Sequence, residues 1–148
     1  MSLTVPKNPQ NSGLAIGTAI PGMKLESWDK TSYTLSALSS FTAFIYVSMY
    51  CTYCIDLLPQ LTHVQEKHSN CSIFLFSTGD EEDHRSMVEY FQWNFPIFHM
   101  DQSDMEEYFR VKYLPFMMLI NKTGNVVSKG VIYNERDFDH LTKKYMYN

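Results

Sequence analysis

Two stretches, FTAFIYVS at 41–48 and SIFLFS at 72–77, run with hardly a polar break. Continuous apolar runs of this length mark strands buried on both faces, as in a sheet covered by helices. Between them the period changes. Leu57, Leu58, Leu61 and Val64 recur at helical spacing, which predicts a helix from about Cys51 to His68-Ser69-Asn70. Asp80 is placed to cap a second helix that carries Met87, Val88 and Phe91 inward. Its first residues, DEEDHR (80–85), read as a solvated start favoured by the helix dipole. FPIFHM (95–100) is a short strand or a loop, and Ser103 caps a short helix through Phe109. FMMLI (116–120) and VVSKGV (126–131) form a strand hairpin around NKTGN, with Gly124 supplying the turn. Asn134 caps a last helix to about Tyr145. Upstream, MKLESWDKTSYTL (23–35) alternates around Asp29-Lys30, as a hairpin does.

Strands and helices alternate in the first half, and a hairpin plus helix closes the chain. That order predicts an α/β sandwich with a mixed sheet. Residues 14–148 form one domain, and residues 1–13, rich in Ser, Pro, Asn and Gly, read as a flexible tail or linker. A chain of 148 residues can bury one sizeable core. Its apolar share of 45% and charged share of 19% are those of a globular domain, and an aromatic share of 15% predicts a bulky interior. The net charge of -4 and the lack of a basic patch argue against a nucleic-acid partner. No run approaches the length that spans a bilayer. Met1 to Gln10 is polar and proline-containing, unlike a signal peptide.

Three cysteines are too few for a disulfide scaffold. Cys51 and Cys54 stand in SMYCTYCIDLLPQL (48–61), and C-x-x-C is a spacing of redox or metal chemistry. If the helix begins near Cys51, that sulfur meets unpaired N–H groups and the dipole, which stabilise a thiolate. Cys54 lies one turn on, on the same face, deeper and less reactive. Cys51 is then the attacking sulfur and Cys54 the resolving one. Pro59 removes a helical hydrogen bond and predicts a kink. Cys71 reads as a small buried hydrophobe. Met117 and Met118 read as strand core, and the five histidines as scattered surface or capping residues. Tyr50 and Tyr53 flank the cysteines as apolar cover.

The strand–C-x-x-C–helix order resembles the thioredoxin-like superfamily. LAIGTAIPGMKLESWDKTSYTLSAL (14–38) is similar to the entry segment of the TlpA-like, or ResA-like, thiol-disulfide oxidoreductases. Pro59, five positions after the second cysteine, matches that family, and so does VKYLPFMMLINKTGNVVSKG (111–130), with Pro115 as its cis-proline. The resemblance covers roughly residues 14–145. It implies a thioredoxin-like sandwich, a central mixed β-sheet flanked by helices, with an N-terminal hairpin and an inserted strand-helix segment. It implies thiol-disulfide exchange through Cys51 and Cys54, with Leu114, Pro115, Tyr50 and Tyr53 at the substrate site and no cofactor beyond the redox-active disulfide. Its implied partners are a disulfide- or thiol-containing protein or peptide and an upstream thiol redox partner. Its implied location is extracytoplasmic, periplasmic or tethered on the outer side of a bacterial membrane, with a signal or anchor upstream. The chain also departs from the family. Tyr50 replaces the usual Trp, Thr52-Tyr53 replaces Gly-Pro, and the two positions for a proton-accepting acid hold Ile45 and Leu57.

Two rivals use the same residues. A Cu(I)-handling module would pair the thiolates with Met49 or Met117, although related copper chaperones use C-x-x-x-C with a specific histidine. A peroxiredoxin-like thiol peroxidase would use Ser48, three residues before Cys51, although the proline expected seven before the cysteine is Phe44.

Overall fold

The computed structural model describes residues 12–146. A short antiparallel hairpin of β1 (Lys24–Glu26) and β2 (Ser32–Thr34) precedes the main sheet. The main strands are β3 (Thr42–Val47), β4 (Ser72–Ser77), β5 (Ile97–His99), β6 (Phe116–Ile120) and β7 (Val126–Val131). Their order is β5-β4-β3-β6-β7, with β3, β4 and β5 parallel and β6 and β7 antiparallel to their neighbours. Helices α1 (Thr52–Lys67), α2 (Glu81–Phe91), α3 (Gln102–Phe109) and α4 (Glu135–Met146) complete the α/β sandwich. FPIFHM therefore contains a strand, β5.

The unbroken apolar runs divide by parity between two cores. Ala43, Ile45 and Val47 of β3 face a cluster with Leu57, Leu61 and Val64 of α1, Met87 of α2 and Phe138 of α4. Phe44 and Tyr46 face the other side, with Phe74, Phe76, Phe98, Phe116 and Phe109 of α3. This second core is aromatic: Tyr46 stacks on Phe76 at 4.8 Å, and Phe44 meets Phe109 edge-on at 6.1 Å, arrangements that satisfy the ring quadrupoles. All six β3 side chains are buried, which is why the central strand carries no alternation. The β6–β7 turn works as its residues require. Gly124 has φ +85°, and Asn121 Oδ1 accepts from the N–H groups of Thr123 and Asn125.

Several details differ from the sequence reading. Residues 1–11 of the expected tail lie outside the described residues, but Ser12 and Gly13 are buried. Lys112 N–H donates to Ser12 Oγ at 2.8 Å, and Gly13 N–H donates to the Arg110 carbonyl at 2.7 Å. Gly13 has φ +79°, and a Cβ there would lie 2.7 Å from the Phe116 ring, so the domain begins before residue 14. Ser103 does not cap α3. The N-cap is Asp101, whose carboxylate makes no cap hydrogen bond and lies 3.4 Å from His99 Nε2. DEEDHR is solvated except for His84, which is 1% exposed and shares the buried face of α2 with Met87. His68 is buried as well. It is the C-cap of α1, and its Nε2 lies 2.6 Å from Asp139 Oδ1 on α4.

Candidate active site

After β3 the chain turns through Ser48-Met49-Tyr50 into Cys51. Ser48 is buried and holds the turn: its Oγ accepts from Tyr50 N–H at 3.1 Å and its carbonyl from Cys51 N–H at 3.2 Å. Met49 N–H donates to Thr78 Oγ1 at 2.9 Å, tying the turn to the loop after β4. Cys51 is the N-cap of α1, with extended backbone at φ -109° and ψ 117°. Its sulfur takes the part usually played by a serine or aspartate oxygen, accepting the Cys54 N–H at 3.2 Å. The first turn of α1 contains no acid, so no carboxylate there offsets the positive end of the helix.

Cys54 is fully buried, in one cluster with Ile45, Leu57 and Met117. Burial pushes its thiol pKa well above the usual range, the hydrogen bond with Cys51 adds to that, and the Ser48 backbone works against it. Ile45 and Leu57 are both buried apolar side chains, and Asp56 is exposed. Both cysteines are free thiols, as is Cys71, which is buried with its pKa pushed up to about 12 by desolvation.

Opposite Cys51 stands the segment before β6. The Cys51 sulfur lies 3.9 Å from the Leu114 carbonyl oxygen, and the Leu114–Pro115 peptide is cis. Ile132 N–H donates to the Pro115 carbonyl at 3.2 Å, which fixes this segment to the end of β7. An open groove of about 420 Å³ passes the Cys51 sulfur, walled by Leu114, Tyr50 and Tyr53. Ser48, Gln102, Lys112, Tyr113, Val131 and Tyr133 complete its wall. Pro115 is buried behind Leu114 and does not line it. Tyr50 does not serve as cover: it is 93% exposed. Tyr53 is exposed too, with its ring edge-on to Tyr133 at 5.3 Å. Tyr113 and Tyr133 were missed by the sequence reading. Tyr113 precedes the Leu114-Pro115 pair and could have been found from it. Tyr133 carries no local signal.

Among the described residues no histidine lines the groove, and Met117 is fully buried in the core. His68, Glu135 and Asp139 bring three ligand atoms within 4.8 Å of one another. The Lys67 ammonium occupies that cluster, 3.0 Å from Asp139 and 3.6 Å from Glu135, so it works as an ion-pair network joining α1 to α4.

Residues 16–129 match the sequence profile of the AhpC/TSA family. The chain belongs to the AhpC/TSA family. No curated protein sequence matches it significantly. Solved structures similar to this AhpC/TSA member include a thiol:disulfide interchange protein from Bacteroides sp., with TM-score 0.70, 18% identity, and 91% of this chain and 92% of that one covered. The thioredoxin domain of a thiol-disulfide oxidoreductase from Bacteroides vulgatus gives TM-score 0.68 and 20% identity over 90% of this chain and 99% of that one. A secreted disulfide oxidoreductase from Mycobacterium tuberculosis gives TM-score 0.61 and 13% identity over 72% of this chain and 81% of that one. These likenesses place the fold among thioredoxin-like proteins. Among the described residues no helix is long and apolar enough to cross a membrane.

Proposed function

We propose that this chain is a TlpA-like thiol-disulfide oxidoreductase acting on protein or peptide substrates outside the cytoplasm. The supporting observation is the asymmetry of the cysteine pair. Cys51 caps α1, receives the Cys54 N–H at 3.2 Å and opens onto a groove, while Cys54 is buried one turn behind it. In the reductive direction the Cys51 thiolate attacks one sulfur of a substrate disulfide. A mixed disulfide forms and the other substrate sulfur leaves as a thiolate. Cys54 gives its proton to solvent and attacks the Cys51 sulfur. The remaining substrate thiolate leaves, and the protein ends as the Cys51–Cys54 disulfide, having given up two electrons. The cysteines carry the electrons, so no organic cofactor is required. An upstream dithiol or disulfide partner resets the pair. The extracytoplasmic assignment draws support from the likeness to a secreted oxidoreductase.

The test is equilibration with glutathione buffers of graded poise, followed by alkylation and mass spectrometry. The proposal expects one two-electron transition that converts Cys51 and Cys54 together and leaves Cys71 reduced. A pair that stays reduced at every poise would overturn it. Hydrogen peroxide added to the reduced protein should be consumed no faster than by a simple dithiol.

A further inference from the structure

Eight large hydrophobic side chains are well exposed among the described residues, and four of them, Tyr50, Tyr53, Tyr113 and Tyr133, line the single groove at Cys51. A lone exposed tyrosine needs no explanation, but a cluster at one cleft marks a contact surface. Tyrosine suits that role because it offers a large rigid apolar face at low entropic cost and keeps a hydroxyl for water or a partner. The charge of the groove is equally uneven. The protein carries a net charge of -4, yet no aspartate or glutamate lines the groove, and its one basic side chain is Lys112. Lys112 enters none of the ion pairs among the described residues. Glu106 shares a smaller neighbouring pocket with it and does not line the cysteine groove.

We propose that this groove selects its substrate: an extended cysteine-bearing polypeptide with an aromatic side chain beside the cysteine and a carboxylate close by, in preference to small polar disulfides. The inference rests on the oxidoreductase reading and adds the substrate class to it. The aromatic side chain packs against the Tyr53–Tyr133 pair, whose edge-on geometry at 5.3 Å leaves ring faces open. Tyr50 and Tyr113 also line the groove and add apolar surface for the chain. The carboxylate meets Lys112, the one basic side chain that lines the groove. The exchange itself is the balanced two-electron step given above, so selection acts on how long the substrate sulfur is held at Cys51.

The experiment uses reduced protein and short peptides with one cysteine, each supplied as its mixed disulfide with 5-thio-2-nitrobenzoate. Release of the coloured thiol reports attack by Cys51. The residue beside the cysteine is Phe or Gly, and a residue nearby is Glu or Lys. Each rate is divided by that for dithiothreitol, which cancels intrinsic reactivity, and the 2-mercaptoethanol mixed disulfide is the small comparator. The proposal expects Phe peptides to react about threefold to tenfold faster than Gly peptides. Glu peptides should exceed Lys peptides by about twofold to threefold at low salt, with the gap closing at about 1 M salt. The paired substitution Tyr53→Ser and Tyr133→Ser should remove the Phe preference, and Lys112→Glu should invert the Glu preference. Tyr90→Ser, on an exposed part of α2, should preserve both. Equal normalised rates for Phe and Gly, or a Phe preference that survives the tyrosine substitutions, would overturn the proposal. If the protein releases no more thiol than Cys51→Ser from any substrate, the oxidoreductase reading itself has failed, a distinct result.

Discussion

Resolution by Cys54 should be limited by its proton, and Leu57→Glu should relieve that limit. Burial is the leading reason for the raised Cys54 pKa, and burial persists in the mixed disulfide, where Cys51 no longer has a thiol. The thiolate fraction then rises about tenfold per pH unit throughout the range from about pH 6 to pH 9. Ile45 and Leu57, both in the Cys54 cluster, offer no acceptor. Leu57 lies three residues after Cys54 on the same buried side of α1, so a carboxyl there reaches the thiol region. The substitution has a cost. Losing a buried leucine removes about 2 kcal/mol, and desolvating the carboxyl costs about 1–3 kcal/mol more while it is neutral and a further amount as the carboxylate that accepts the proton. That total is tolerable for a domain stable by about 5–15 kcal/mol. The assay is stopped-flow resolution of a Cys51-linked thiol adduct across the same pH range. The parent should show a log-rate slope near one, and Leu57→Glu should speed the neutral-pH rate about tenfold or more and flatten the slope. A flat parent profile, or a folded variant with no gain, would show that another group already takes the proton.

Iodoacetamide added to reduced protein at neutral pH should label Cys51 first, because Cys54 and Cys71 are buried thiols with raised pKa values; faster labelling of either by mass spectrometry contradicts this. His84 should make the fold acid-sensitive. Burial, helped by the His99 charge and opposed by Asp83 and Asp80, lowers its pKa from 6.5 to about 4. The unfolded state therefore takes up the proton first, and stability present above pH 6.5 falls as pH drops toward about 4. The loss is up to about 3 kcal/mol. Urea unfolding across that interval should lose most of this slope in His84→Leu. Asp139→Ala removes the carboxylate paired with His68 and Lys67 and should cost on the order of 1–2 kcal/mol in the same measurement.

Much of the fold is written locally. Strands β3, β4 and β6 are apolar runs because both of their faces are covered, and Gly124 and Asn134 stand where a turn and a cap need them. The placement of the cysteine pair was legible for the same reason: a helix start beside a C-x-x-C is a local fact. Absent acids at Ile45 and Leu57 could be read directly from aligned positions. What stayed hidden depends on tertiary contact. His84 sits in a polar stretch, and only packing of the α2 face beside Met87 buries its imidazole. Asp101 displaces Ser103 as the cap because β5 ends at His99, next to it. Tyr133 reaches the groove through the pairing of β7 with β6, and no pattern within its own segment encodes that.

The central claim is that Cys51 attacks and Cys54 resolves. Its most direct test is capture of the intermediate. Cys54→Ala, reduced and mixed with a protein disulfide substrate, should accumulate a mixed disulfide that mass spectrometry maps to Cys51, whereas the parent passes through to the intramolecular disulfide. No adduct, or an adduct on Cys71, would contradict the account.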